Sequence, residues 1–138
     1  MNRLRIFAAT AVSLVMFTAR GYSASCSIAT LKGSYAYQDT QEDPDGTKWY
    51  IVGYLKFNGA GTGSTNWIFH NSKGSIENNQ VGVPLTYTVD QTCTFSFTQQ
   101  GGLTFSGVIS NNTNELNYVE TTGWEFRRGS AKKVTGRD

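Results

Sequence analysis

Histidine, cysteine and charge are all scarce in this chain, and each scarcity closes off a class of chemistry. His70 is the one histidine among 138 residues, so a multi-histidine metal site is excluded. A catalytic triad also needs its histidine beside a nucleophile and an orienting carboxylate, and nothing in the spacing around His70 supplies them. No G-x-G-x-x-G run is present. Gly59, Gly61 and Gly63 are spaced as a turn, with no helical pattern after them to aim an N-terminus at a phosphate. The D-x-D-x-D-G loop is missing too. Glu42, Asp43 and Asp45 offer oxygens to calcium but read more simply as an exposed acidic turn. The expectation is therefore no metal and no cofactor.

The formal charge of +2 is misleading. Arg3, Arg5 and Arg20 all precede Cys26; without them nine Lys/Arg face ten Asp/Glu, a net charge of −1. No general basic surface for nucleic acid survives. A run long enough for a comfortable membrane span is also lacking, because the apolar stretch Ile6 to Ala19 is too short. With Arg3 and Arg5 before it, that stretch reads as the core of a secretory signal peptide over residues 1–25. Cleavage after Ser25 leaves Ser23 and Ser25 where the peptidase wants small residues; a retained anchor is the alternative. The expected partition is 1–25 signal peptide, 26–130 folded domain and 131–138 flexible basic tail, with no integral membrane segment after processing. The two cysteines, Cys26 and Cys93, both fall in the exported part, where a disulfide is allowed; a lipidated Cys26 is the competing fate.

What the chain does have is alternation. From Lys48 to Asn71, Trp49, Ile51, Gly53, Leu55 and Phe57 fall on every second position, then Asn58-Gly59 turns the chain, then Thr65, Trp67 and Phe69 alternate again. Successive strand side chains point to opposite faces, so this is a hairpin with one apolar face. The same pattern recurs in Leu31, Gly33, Tyr35 and Tyr37, in Leu85, Tyr87 and Val89, and in Cys93, Phe95 and Phe97. It continues in Leu103, Phe105, Gly107 and Ile109, in Leu116, Tyr118 and Glu120, and in Trp124, Phe126 and Arg128. Turn signals such as Pro44-Asp45-Gly46 separate the segments. Short connections between sequential strands favour an antiparallel meander, and a long one-faced sheet must curl to bury that face and remove its edges. The expected fold is all-β: one antiparallel up-and-down barrel of about eight strands.

Two charges interrupt the inner face. Glu120 and Arg128 flank the turn at Thr122-Gly123 and are placed to meet across it. One reading makes them an acid/base pair facing a cavity lined by Tyr35, Tyr37, Tyr87, Tyr118 and Trp124. The plainer reading is a salt bridge at the barrel mouth, or two charges left in water.

The opening Cys26-Ser-Ile-Ala-Thr-Leu-Lys-Gly-Ser-Tyr-Ala-Tyr37, the Gly53-Tyr-Leu-Lys-Phe-Asn-Gly-Ala-Gly61 segment and Tyr87-Thr-Val89 with Cys93 resemble small exported bacterial proteins of calycin-like or allene-oxide-cyclase-like barrel type. The resemblance implies a barrel with a cavity for a small apolar ligand. Its motifs are structural, and no cyclase catalytic residue is matched. Three functions follow as expectations: binding of a small apolar or aromatic molecule in the barrel, an isomerase or cyclase using Glu120, or a filled barrel that acts through its outer surface. Ligand identity and oligomeric state are not readable.

Overall fold

The computed structural model describes residues 25–74, 76–110, 112–123 and 126–135; the side chains of residues 76–79 are not described. The expected signal peptide, apart from Ser25, and Trp124 lie outside these residues. After a 3-10 helix, Ile28–Thr30, eight strands follow: β1 Lys32–Glu42, β2 Lys48–Asn58, β3 Thr62–Asn71, β4 Ile76–Val89, β5 Thr94–Gln99, β6 Thr104–Ser110, β7 Glu115–Glu120 and β8 Phe126–Lys133. Each pairs antiparallel with the next, and β8 returns to β1, so the sheet closes as an up-and-down barrel. None of the helices among the described residues is long and apolar enough to cross a membrane.

The alternation read from the sequence sets the inside. Tyr35, Tyr37, Ile51, Leu55, Phe57, Leu85, Tyr87, Phe95, Phe97, Phe105, Ile109, Leu116 and Tyr118 form one buried cluster. Their rings pack edge to face or stacked, with Phe97 and Phe105 stacked at 4.7 Å and Phe57 edge-on to Tyr87 at 4.9 Å. Such pairs add specificity beyond the burial of apolar area.

The end of the barrel holding the N-terminus and the β2–β3, β4–β5 and β6–β7 turns is closed; it is called lower here. The 3-10 helix lies across it, and the Tyr87 hydroxyl donates to the carbonyls of Leu31 (2.8 Å) and Ile28 (3.3 Å). Tyr35 donates to Thr113 O at 2.9 Å in the β6–β7 turn. Cys26 and Cys93 form the expected disulfide, tying the segment before β1 to the β4–β5 turn.

Two expectations are corrected on β8. The strand runs through Lys133, with Ala131 buried and Lys133 in register with Tyr35, so the basic segment does not fray at residue 131. Its faces are also inverted by one residue. Phe126 is 66% exposed and Arg128 is exposed, while Arg127 and Ala131 are buried. A one-residue change of parity moves every side chain of a strand to the other face. Here the inner positions are Arg127, Gly129 and Ala131, mostly small residues that leave space for their neighbours.

Candidate functional site

The upper half of the barrel interior, toward the β1–β2, β3–β4, β5–β6 and β7–β8 turns, sets buried charges among its rings, which include Trp67, Phe69 and Phe105. Continuing the β1 row past Tyr35 and Tyr37 brings Asp39 inward, with 4% of its surface exposed. Arg127 faces it from β8. Its Nε and Nη2 donate to Asp39 Oδ2 at 2.9 and 2.7 Å, while the Tyr118 hydroxyl donates to Oδ1 at 2.7 Å. The guanidinium also lies 4.9 Å from the centre of the Phe105 ring. A buried ion pair survives when added hydrogen bonds satisfy its remaining oxygens and protons, and this one has them.

The backbone is cut to fit these groups. Tyr118 is in register with Gly107 on one side and Gly129 on the other. A Cβ at Gly129 would overlap Asp39 Oδ1 and sit 2.8 Å from Tyr118 Cε2, and one at Gly107 would sit 2.7 Å from Tyr118 Cβ. Both positions therefore require glycine because the tyrosine and the carboxylate lie directly against the main chain.

Burial sets the electrostatics. Burial pushes the Asp39 carboxyl up from its usual value, with Arg127 and Tyr118 pulling against that shift. Tyr118 is held well above the ordinary phenol range by burial and by the neighbouring Asp39 charge. Tyr37 is pushed up to about 12, chiefly by burial. Its hydroxyl lies beside Thr65 and Arg127 but closes no well-formed hydrogen bond. The Thr65 hydroxyl and the Trp67 indole nitrogen are likewise buried without a hydrogen-bond partner. Tyr37 and Trp67 share one cross-strand row through Gly53.

The sequence-read site residues fall into three groups. Tyr37 and Tyr118 come together in the upper half, beside Asp39 and Arg127. Tyr35 and Tyr87 are buried, but their hydroxyls are spent on the lower closure. Glu120 is half-buried on β7, its carboxylate oxygens shielded from solvent, whereas Arg128 faces outward and does not share the interior with it. Asp39, Arg127 and Thr65 were not singled out from sequence. Two-residue stepping beyond Tyr37 finds Asp39; no apolar signal on β8 pointed to Arg127. Asp43 in the acidic turn is structural, accepting from Trp49 Nε1 at 2.7 Å and Gln41 Nε2 at 2.9 Å. Among the described residues no group of three or more metal-ligating side chains is found, and His70 is exposed.

No protein-family model matches the chain, and no curated protein matches it. Among solved structures it is similar to a de novo designed fluorescence-activating β-barrel, at 10% identity and a TM-score of 0.44, covering 75% of this chain and 93% of that one. It is also similar to the redesigned β-barrel mFAP1, solved bound to DFHBI, at 16% identity and a TM-score of 0.46, covering 77% and 97%.

Proposed function

We propose that the chain is an exported binding protein that seats a small, predominantly aromatic molecule in the upper half of the barrel, against Tyr37, Thr65 and Trp67. One observation carries this reading: three buried polar atoms from two neighbouring regions of the wall lack hydrogen-bond partners. Buried donors and acceptors are almost always satisfied, so these three atoms offer hydrogen-bonding capacity that a guest could take up. The surrounding rings supply apolar contact, and the Asp39–Arg127–Tyr118 array fixes the wall behind. Export rests on the leader-like run before Cys26 and on the disulfide, which persists in oxidising compartments. The resemblance of the opening segment to small exported barrels points the same way.

The test is native mass spectrometry of the chain purified from its producing cell. A bound mass on the wild type that Tyr37→Phe/Thr65→Val loses, with an unchanged circular dichroism spectrum, supports the reading. A bare wild-type mass, or an adduct indifferent to both substitutions, rejects it.

A second reading, isomerase or cyclase, is favoured by Glu120, whose shielded carboxylate lies two residues from Tyr118 on the same strand face. Such a carboxylate is placed for proton transfer. Under this reading Glu120→Gln keeps the bound mass but stops its conversion. Arg128 is not its partner.

A further inference from the structure

The outer wall of the barrel is not uniform. On β4 and β5 the outward side chains Thr86, Thr88, Thr94, Ser96 and Thr98 all carry hydroxyls. On β2 the outward row reads Lys48, Tyr50, Val52, Tyr54, Lys56, and the three in the middle are each about half exposed. Ile68 stands in register with Val52 on β3, and Val81 beside them is 71% exposed. Strand formation does not require this apolar surface, since the same chain builds other outer strands with threonine. A half-exposed tyrosine presents about 100 Å² and a half-exposed aliphatic residue slightly less, so these five present on the order of 500 Å². At the roughly 60% apolar share of a protein interface, that corresponds to about 800 Å² per partner, the size of a standard specific contact.

The layout selects the partner. The β2 row is palindromic about Val52, and a two-fold contact demands a surface that matches itself, residue i on j and j on i. An axis along the cross-strand row Gln38, Val52, Ile68 sets each of these on its own counterpart. It also sets Tyr50 on Tyr54 of the second copy, twice, as an aromatic pair. A hollow of about 480 Å³ lined by Tyr54, Ile68 and Val81 receives the incoming ring. At each end Glu42, in register with Lys48, comes beside Lys56 of the second copy, so one acid is shared by two bases. Between these ends no lysine, arginine or carboxylate points outward on β1, β2 or β3. The closed ladder leaves no edge strand for pairing, so two copies meet face to face.

We infer that this wall is the interface of a two-fold homodimer centred on Val52. The inference is independent of the interior site.

Sedimentation velocity over a concentration series, with cross-linking of single added cysteines, tests it. The wild type dimerises with a micromolar or tighter dissociation constant, as interfaces of this size do. Val52→Lys meets itself across the axis and weakens dimerisation at least tenfold, whereas Val108→Lys, at an equally exposed valine on β6, leaves it unchanged. Cys26 and Cys93 are paired, so an added cysteine is a lone thiol. A short bismaleimide joins Val52→Cys to its own copy. It does not join Tyr50→Cys, which lies about 14 Å from its counterpart, unless Tyr54→Cys is present too. These side chains face solvent, so an unchanged circular dichroism spectrum certifies the fold. A wild type still monomeric at about 100 µM overturns the inference, even if the face then takes up phosphatidylcholine vesicles. So does a dimer indifferent to Val52→Lys, and so does Tyr50→Cys alone cross-linking as readily as Val52→Cys.

Discussion

At the scale of single residues, the Asp39–Arg127 pair decides most. Each ion is almost fully inside the barrel, so neither can fall back on water when its partner is removed. Asp39→Asn leaves the guanidinium uncompensated and is expected to cost about 3–5 kcal/mol in urea unfolding. Arg127→Met strands the carboxylate instead, which then takes up a proton. A carboxyl whose folded pKa is raised stabilises the fold at low pH and loses that contribution as pH rises through the raised value. The Arg127→Met deficit therefore shrinks on acidification, whereas that of Asp39→Asn does not. The double variant should lose less than the sum of the two, because no lone charge remains. Strict additivity in this cycle would show that the pair is not coupled.

At the scale of elements, the strands were legible and one face was not. From β1 to β7 the strands put their apolar alternation inward as read, since large side chains in steps of two admit one orientation; Leu103, read at the head of the β6 row, instead precedes that strand and is exposed. β8 misled because its one large inner side chain is charged: Phe126 is exposed, Arg127 is buried against Asp39, and Gly129 and Ala131 are small beside Tyr118, Asp39 and Tyr37. Small inner residues carry no hydrophobic signal, so parity there is set by the neighbours. For the same reason half of the polar site went unread. Tyr37 and Tyr118 announced themselves as part of apolar rows, but the meaning of Asp39 depends on an arginine 88 positions away in sequence. The disulfide belongs to this scale as well. It spans 67 positions and fastens the 3-10 helix across the lower end. Constraining the unfolded chain over such a loop contributes about 4 kcal/mol. Cys26→Ser/Cys93→Ser should lower the unfolding free energy by that order while leaving the strand-type dichroism intact; an unmoved denaturation midpoint would contradict it.

At the scale of the whole molecule, the distribution of polarity sets the response to pH. Tyr35 and Tyr37 are pushed up to about 12 and Tyr118 is held well above the ordinary phenol range, all chiefly by burial. In the unfolded chain these phenols ionise near the ordinary value of about 10. Between about pH 10 and 12 the unfolded state gives up protons that the folded state keeps, so stability falls as pH rises through that window. Thermal midpoints recorded from neutral to strongly alkaline solution should hold steady until about pH 10 and then drop. Tyr35→Phe and Tyr37→Phe should each flatten the drop. A midpoint independent of alkali would mean that these hydroxyls are open to water.

Closure of the ladder reaches beyond stability. A protease draws its substrate out as an extended segment and lays it along its own cleft, so it needs a strand that can peel away. Here each of the eight strands is hydrogen-bonded on both flanks, and releasing one means opening two seams at once. Digestion within the ladder is thus tied to cooperative opening rather than to fraying, so resistance to a protease tracks the global stability of the barrel.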